Sequence, residues 1–170
     1  MLLVGLSPQG KEAQEFRQGL KEAGYTEGRD VVIEWRSASG DYDRVTELAT
    51  DLVQRQVEVI VVENTFAAQA LKRATSTIPI VMAIIADPAG SGLVVSLARP
   101  GGNFTGLSLM LSELSAKRLQ LLKEVLPQAT RVAVLSNPTV PWHAKVIEDL
   151  KAVAPSLVSM ITETRAAVIT

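Results

Sequence analysis

Apolar runs alternate with amphipathic stretches along this chain, the pattern of βαβ units and a parallel sheet. Residues 2–6 are a short apolar run ended by Ser7-Pro8, which reads as a first buried strand. Ala13, Phe16, Leu20 and Ala23 recur at helical spacing over residues 9–23, and Gly24 supplies the stop. Over residues 31–35, Val31, Ile33 and Trp35 alternate with Val32 and Glu34, as in a strand near a sheet edge. Val45, Leu48, Ala49, Leu52 and Val53 place a second helix over residues 41–56, with Asp41 as its cap. Residues 57–62 read as a Val/Ile strand and residues 65–74 as an Ala-rich helix. A fourth strand at residues 80–85 leads to a short helix at 91–98, which residues 99–103 break.

An extended segment follows at residues 104–109, then a helix opened by Ser112 and Glu113 that runs through residue 126. Residues 131–135 form another parallel-type strand, closed by Asn137-Pro138. A helix over residues 140–153 is stopped by Pro155, and residues 157–164 read as a last strand. No repeat of fixed period occurs. A common plan does: strand, polar turn with Pro, amphipathic helix, once from Leu2 and again from Val132. Two similar half-units of this kind would make a two-lobed protein, with residues 101–109 as the first crossing between lobes.

Composition narrows the function more than the fold. A chain of 170 residues holds one sizeable domain or two small ones. With 47% apolar and 21% charged residues it is an ordinary globular sequence, not a disordered one. The net charge of -1, with both signs interspersed, argues against nucleic acid as a partner. Two Trp, two Tyr and three Phe are too few for a base-stacking platform. The absence of cysteine excludes disulfides, Cys-based zinc sites and Cys nucleophiles, and suits an oxidising compartment. His143 is the one histidine, and nothing around it suggests a catalytic triad. No run reaches the length of a membrane span, and the first residues lack the basic and long apolar regions of a signal peptide. An exported form would carry its signal outside this sequence.

Residues 78–106 are the most informative stretch. They run from a buried strand through Asp87-Pro88 at its end to the Arg99-Pro100-Gly101-Gly102-Asn103 break. They contain no nucleophile, metal cluster or phosphate loop. In open α/β sheets ligands bind where strands end and chain order reverses, so a polar strand end beside a helix N-terminus suits a small ligand. The stretch points to a binding cleft.

Several blocks together resemble ABC-transporter substrate-binding proteins, in the branch that includes tryptophan-binding members. They are Glu15-Phe16-Arg17-Gln18-Gly19-Leu20, Gly24-Tyr25-Thr26-Glu27-Gly28, Ala74-Thr75-Ser76-Thr77-Ile78-Pro79-Ile80-Val81, Asp87-Pro88 and Gly90-Ser91-Gly92-Leu93. Leu97-Ala98-Arg99-Pro100-Gly101-Gly102-Asn103, Thr105-Gly106 and Lys117-Arg118-Leu119 complete the set. The similarity spans residue 2 to about residue 154, and the tail from Ser156 fits it poorly. It implies a type 1 periplasmic binding protein: a flavodoxin-like parallel sheet lobe at residues 1–107, and part of a second similar lobe at 108–170. Family members are close to twice as long. The resemblance further implies an amino acid or similar small polar ligand held between two lobes, an ABC permease as partner, and a periplasmic or membrane-anchored extracytoplasmic location. No cofactor and no covalent step is implied.

Candidate ligand contacts follow the strand ends. Ser7 and Pro8 follow the first strand, where a hydroxyl and free N–H groups can meet a carboxylate; the plainer reading makes Ser7 a helix cap. Asn64 and Thr65 stand at a helix N-terminus suited to an anion, although capping explains Thr65 equally well. Asp87 can pair with an ammonium group or simply form the turn before Pro88. Asn137 and Pro138 hold the equivalent place in the second lobe, where a turn is the commoner meaning. Trp142 and His143 read as helix-start packing, Trp35 as sheet-edge packing, and Tyr42 as a cleft-rim residue. Gly101 and Gly102 read as a turn needing positive φ, or, with Thr105, as a hinge. Two other functions remain open. One is an enzyme on a doubly wound fold using Asp87 and Glu63 as acid and base. The other is an inactive fragment that pairs as a homodimer through the surface a complete second lobe would cover.

Overall fold

Parallel pairing of five short strands organises the first of two compact units in the structure, a computed structural model that describes residues 1–3, 6–136, 141–158 and 160–165. That unit comprises Met1–Ile85 and Leu93–Ser108; the second comprises Ala86–Gly92 and Leu109–Thr170. The strands of the first are β1 (Leu2–Leu3), β2 (Arg36–Ser37), β3 (Ile60–Val62), β4 (Ile80–Ile85) and β5 (Phe104–Ser108). All pair in parallel, in the order β2-β1-β3-β4-β5. Helices α1 (Lys11–Glu22), α2 (Val45–Gln54) and α3 (Thr65–Ala74) make the crossovers that parallel neighbours require. This is the flavodoxin-like order expected of the first lobe.

Register shows why these residues are strands. Ile60 lies opposite Ile80, Val62 opposite Met82, and Ile80 opposite Phe104, which sets one row of apolar side chains on a single face. That row is buried, whereas Val61 and Val81 on the other face are half-buried. Each fully buried Ile or Val of the row contributes about 1.5–3 kcal/mol relative to exposure. In α2 the buried positions are Val45, Ala49 and Leu52, at one-turn intervals. In α3 they include Leu71 and the small residues Ala67, Ala68 and Ala70, which suit the packing of α2 and α3 on each other. Asp41 caps this region as expected, accepting from the Asp43 N–H at the start of a 3-10 turn, Tyr42–Arg44, that leads into α2.

Two expected elements are differently built. The strand at residues 31–35 is absent. Only a single bridge, Glu27 to Val31, precedes β2, because β1 meets the chain at Arg36 and Ser37. The helix at residues 91–98 is a chain of turns. Its opening is consumed by Asp87, whose carboxylate accepts from Gly90 N–H at 2.7 Å and whose carbonyl accepts from Ser91 N–H. Gly92 then turns left-handed at φ 69°, and Val95 N–H donates to the Pro100 carbonyl, closing a loop where a helix ladder would run. Leu93 and Val94 are buried from this loop.

The second unit contains α4 (Leu111–Val125), β6 (Arg131–Ser136), α5 (Pro141–Val153) and β7 (Met160–Arg165). β6 and β7 pair in parallel along their whole length, from Arg131 opposite Met160 to Ser136 opposite Arg165. Leu119, Leu150, Ala154 and Val158 form its core, with Val132 and Val134 of β6 packed on them. Pro155 sits in the 3-10 turn Ala154–Ser156 that ends α5. The tail after Ser156 thus adds a strand in full register.

Gly106 is the tightest backbone approach in the sheet. It has φ 132°, and a Cβ there would collide with the backbone of Met82, its register partner on β4. Gly106→Ala is expected to lower stability by at least about 1–3 kcal/mol from backbone strain. Urea denaturation checks this; an unchanged midpoint would contradict the close β4–β5 approach.

Candidate functional site

The sheet reverses direction between β1 and β3: the chain passes from β1 outward to β2 on one side, then from β3 through β4 to β5 on the other. The connections that leave the carboxyl ends of β1 and β3 diverge there, and the crevice between them is the default ligand position in such sheets. Ser7 and Pro8 lie in the first connection, Asn64 and Thr65 in the second, all within the first unit.

In the first connection every carbonyl from Leu6 to Gln9 accepts a hydrogen bond. Ser37 Oγ donates to Leu6 at 2.9 Å, Gly10 N–H to Ser7 at 2.9 Å, Arg17 to Pro8 at 2.9 Å and Gln14 Nε2 to Gln9 at 3.2 Å. Ser7 Oγ accepts from Gln9 N–H at 3.2 Å, a local turn. The cap of α1 is Gly10 and not Ser7, and it offers no side-chain acceptor to the first-turn N–H groups. The first turn of α1 thus stands at the crevice with no capping hydrogen bond from Gly10, and the one acidic side chain in that turn is Glu12.

In the second connection Asn64 is the cap of α3, its Oδ1 accepting from Phe66 N–H at 2.7 Å. Thr65 opens the helix and is 7% exposed. Capping thus describes Asn64, which the sequence offers with Thr65 as a candidate anion contact. Beside this helix start, the Tyr42 ring meets Phe66 edge-on, centroids 5.2 Å apart at 83°, and Tyr42 is 48% exposed. Tyr42 is therefore a rim residue of the α3 end.

The other candidates sit elsewhere. Asp87, in the second unit, has one carboxylate oxygen engaged by Gly90 N–H, as a turn former does. Gly101 does turn left-handed, at φ 76°, but Gly102 does not. Both precede β5, and Thr105 lies inside it opposite Val81; the chain passes between the units after Ile85, after Gly92 and after Ser108. Asn137 and Pro138 lie outside the described residues. His143 is in α5, where burial pushes its imidazole below the ordinary value. A pocket of about 230 Å³ lined by Lys123, Thr130, Pro155 and Leu157 lies at the amino ends of β6 and β7, the wrong end for a strand-end site. Among the described residues no group of three or more His, Cys, Asp or Glu could hold a metal, and no helix is long and apolar enough to cross a membrane.

Sequence reasoning missed Arg17, Gln14 and Ser37. Arg17 stacks over Trp35, 4.4 Å from its ring centroid, and pairs with Glu27 at 2.6 Å; Phe16 meets the same Trp35 edge-on at 6.3 Å. Trp35 Nε1 also donates to Glu27 at 3.2 Å. The hydrogen bond from Arg17, with that from Trp35, holds the Glu27 carboxyl below its ordinary value of 4.5. Arg36, with Arg55, likewise holds Asp51 below 3.8, and Arg29 with the Thr26 N–H does the same for Asp30.

Two outcomes follow. Asn64→Ala removes the α3 cap and is expected to lower stability by about 1 kcal/mol, with Asn64→Ser near neutral. Equal losses in both variants would show that the cap bond is not the cause. For acid, the sign is set by the depressed carboxylates: folded Glu27, Asp51 and Asp30 bind fewer protons than the unfolded chain does. Their contribution is complete above the ordinary values of 4.5 and 3.8 and is lost as pH falls through the lower folded ones. The urea midpoint is expected to fall below about pH 4, less steeply in Glu27→Gln. An identical acid profile in that variant would contradict the pairing.

Comparison with known proteins places this geometry. The family model described as ABC transporter substrate binding protein matches residues 8–166, so the tail beyond residue 154 belongs to the match. A tyrosine-binding protein of Clostridioides difficile (strain R20291) is 35% identical over 127 residues, 75% of this chain and 36% of that protein. The crystal structure of a conserved domain protein from Vibrio cholerae O1 biovar El Tor is 34% identical with TM-score 0.81, over 97% of this chain and 56% of its own. An ABC domain from Streptococcus pneumonia in complex with L-Trp is 27% identical with TM-score 0.79, over the same shares of the two chains. The chain thus spans about half the length of these structures, 56%, and 36% of the tyrosine-binding relative. It belongs to the ABC transporter substrate-binding protein family.

Proposed function

We propose that the whole protein binds an amino acid carrying an aromatic ring and presents it to an ABC permease on the outer side of the membrane, without catalysing a reaction. The observation that carries this is the reversal of the sheet at β1 and β3. Two helices start there, and the Gly10 cap of α1 makes no side-chain hydrogen bond to the first turn. A ligand carboxylate fits that end through the first-turn N–H groups. The Tyr42–Phe66 pair beside the α3 start offers a ring face. The relatives named for tyrosine and for L-Trp support the same ligand class.

An acid–base enzyme using Asp87 and Glu63 finds no such support. The Asp87 carboxylate is turned onto its own loop through the Gly90 N–H, a structural task that competes with proton transfer to a substrate.

A thermal-shift screen of the full-length protein against the amino acids tests the proposal. L-Tyrosine and L-tryptophan are expected to stabilise it, by about 2.7 kcal/mol at a hundredfold excess over Kd, and leucine much less. Tyr42→Ala is expected to narrow the difference between aromatic and aliphatic ligands. Stabilisation by aliphatic amino acids alone, or by none, would overturn the ligand class.

A further inference from the structure

Two of the sequence blocks that carry the family resemblance, residues 15–20 and 24–28, contain none of the strand-end candidates. The structure shows what joins them. Arg17 from the first pairs through Nε with Glu27 from the second, at 2.6 Å. The same guanidinium lies over Trp35 and donates through a terminal nitrogen to the Pro8 carbonyl, at 2.9 Å. One planar group therefore ties three separate segments to the connection after β1. Arginine suits this because its fixed fork can donate along two directions while its face stacks.

We infer that Arg17 is a positioning residue for ligand binding: it fixes the residue 6–10 connection so that the N-terminus of α1 faces the crevice, with Glu27 and Trp35 holding the guanidinium in place. The inference rests on the proposed binding reading and names a residue that acts through the loop without touching the ligand. Its neighbours in the clamp are Ser37 and Gln14, which take the Leu6 and Gln9 carbonyls. Of the three side-chain donors, Arg17 alone is anchored by further partners on other segments, Glu27 and Trp35. With the carbonyls of this connection each taken up by a protein donor, the first-turn N–H groups of α1 remain available to an incoming anion.

The test uses the full-length protein with Arg17→Met, which keeps an apolar stem for Trp35, Arg17→Lys, which keeps the charge, and Glu27→Gln. Three quantities are read: thermal midpoint, amide exchange at Gln9 and Gly10 without ligand, and Kd for L-tyrosine and L-tryptophan. Arg17→Met is expected to speed exchange at those two amides and weaken binding about tenfold, the scale of one charge-assisted hydrogen bond. Arg17→Lys is expected to recover part of both effects, and Glu27→Gln to show a smaller loss. A purely structural role would instead raise exchange throughout α1 and lower the midpoint, with Kd unchanged in the folded fraction; that result overturns the inference. So does wild-type exchange at Gln9 and Gly10 in Arg17→Met. If the wild-type protein binds neither amino acid, the binding proposal fails on its own, and exchange at Gln9 and Gly10 still decides whether Arg17 fixes the loop.

Discussion

The pairing of β1 with both β2 and β3 is the constraint on which the first unit depends. It is small: Leu2 and Leu3 meet Arg36 and Ser37 on one side, and Leu2 meets Val62 on the other. Yet it joins the two halves of the sheet and sets where chain direction reverses. A one-residue slip would turn the register of β2 and send the Ser37 hydroxyl away from the Leu6 carbonyl it now satisfies. Strand pairing and loop geometry are therefore one problem. The same short ladder that closes the core also aims the connection at the crevice.

Polar satisfaction carries that aim further. A connection leaving a parallel strand must place its carbonyls somewhere, and here four consecutive ones go to donors from Ser37, Gly10, Arg17 and Gln14. Arg17 and Gln14 come from α1, Ser37 from β2 and Gly10 from the connection itself, so the loop is held mainly by the structure it introduces. The start of α3 is treated differently. Asn64 caps it locally, and the aromatic pair Tyr42–Phe66 closes over its side. One helix start is left without a side-chain cap bond and the other is capped by the protein, an asymmetry that suits a ligand with one polar end and one apolar end.

Much of the fold was legible because parallel sheets write themselves as apolar runs separated by amphipathic stretches. Residues 65–74 and 80–85 were read with the bounds the structure has, since Ala periodicity and a bounded Ile/Val run leave little choice. The errors occurred where local chemistry overrode periodicity. Residues 91–98 read as a short helix, but Asp87, Gly90 and Gly92 make turns of the segment. Residues 31–35 alternate as a strand does, but Trp35 is committed to Arg17 and Phe16 instead of a ladder. Strand-end position was legible for Ser7 and Asn64, because topology decides that. Side-chain roles were less visible: Ser7, read as a ligand contact or a helix cap, makes a local turn, and Asn64 is the cap of α3. Arg17 escaped notice because its three partners are far apart in sequence. Only its place in a family-like block hinted at a task.

The central claim is that the starts of α1 and α3, at the reversal of the sheet, hold the ligand. Amide exchange across the full-length protein, with and without saturating L-tyrosine or L-tryptophan, tests it most directly. The account predicts new protection at residues 10–13 and 65–68, at the starts of both helices. Saturable binding that protects neither start, and slows exchange instead around Lys123 and Pro155, would contradict it.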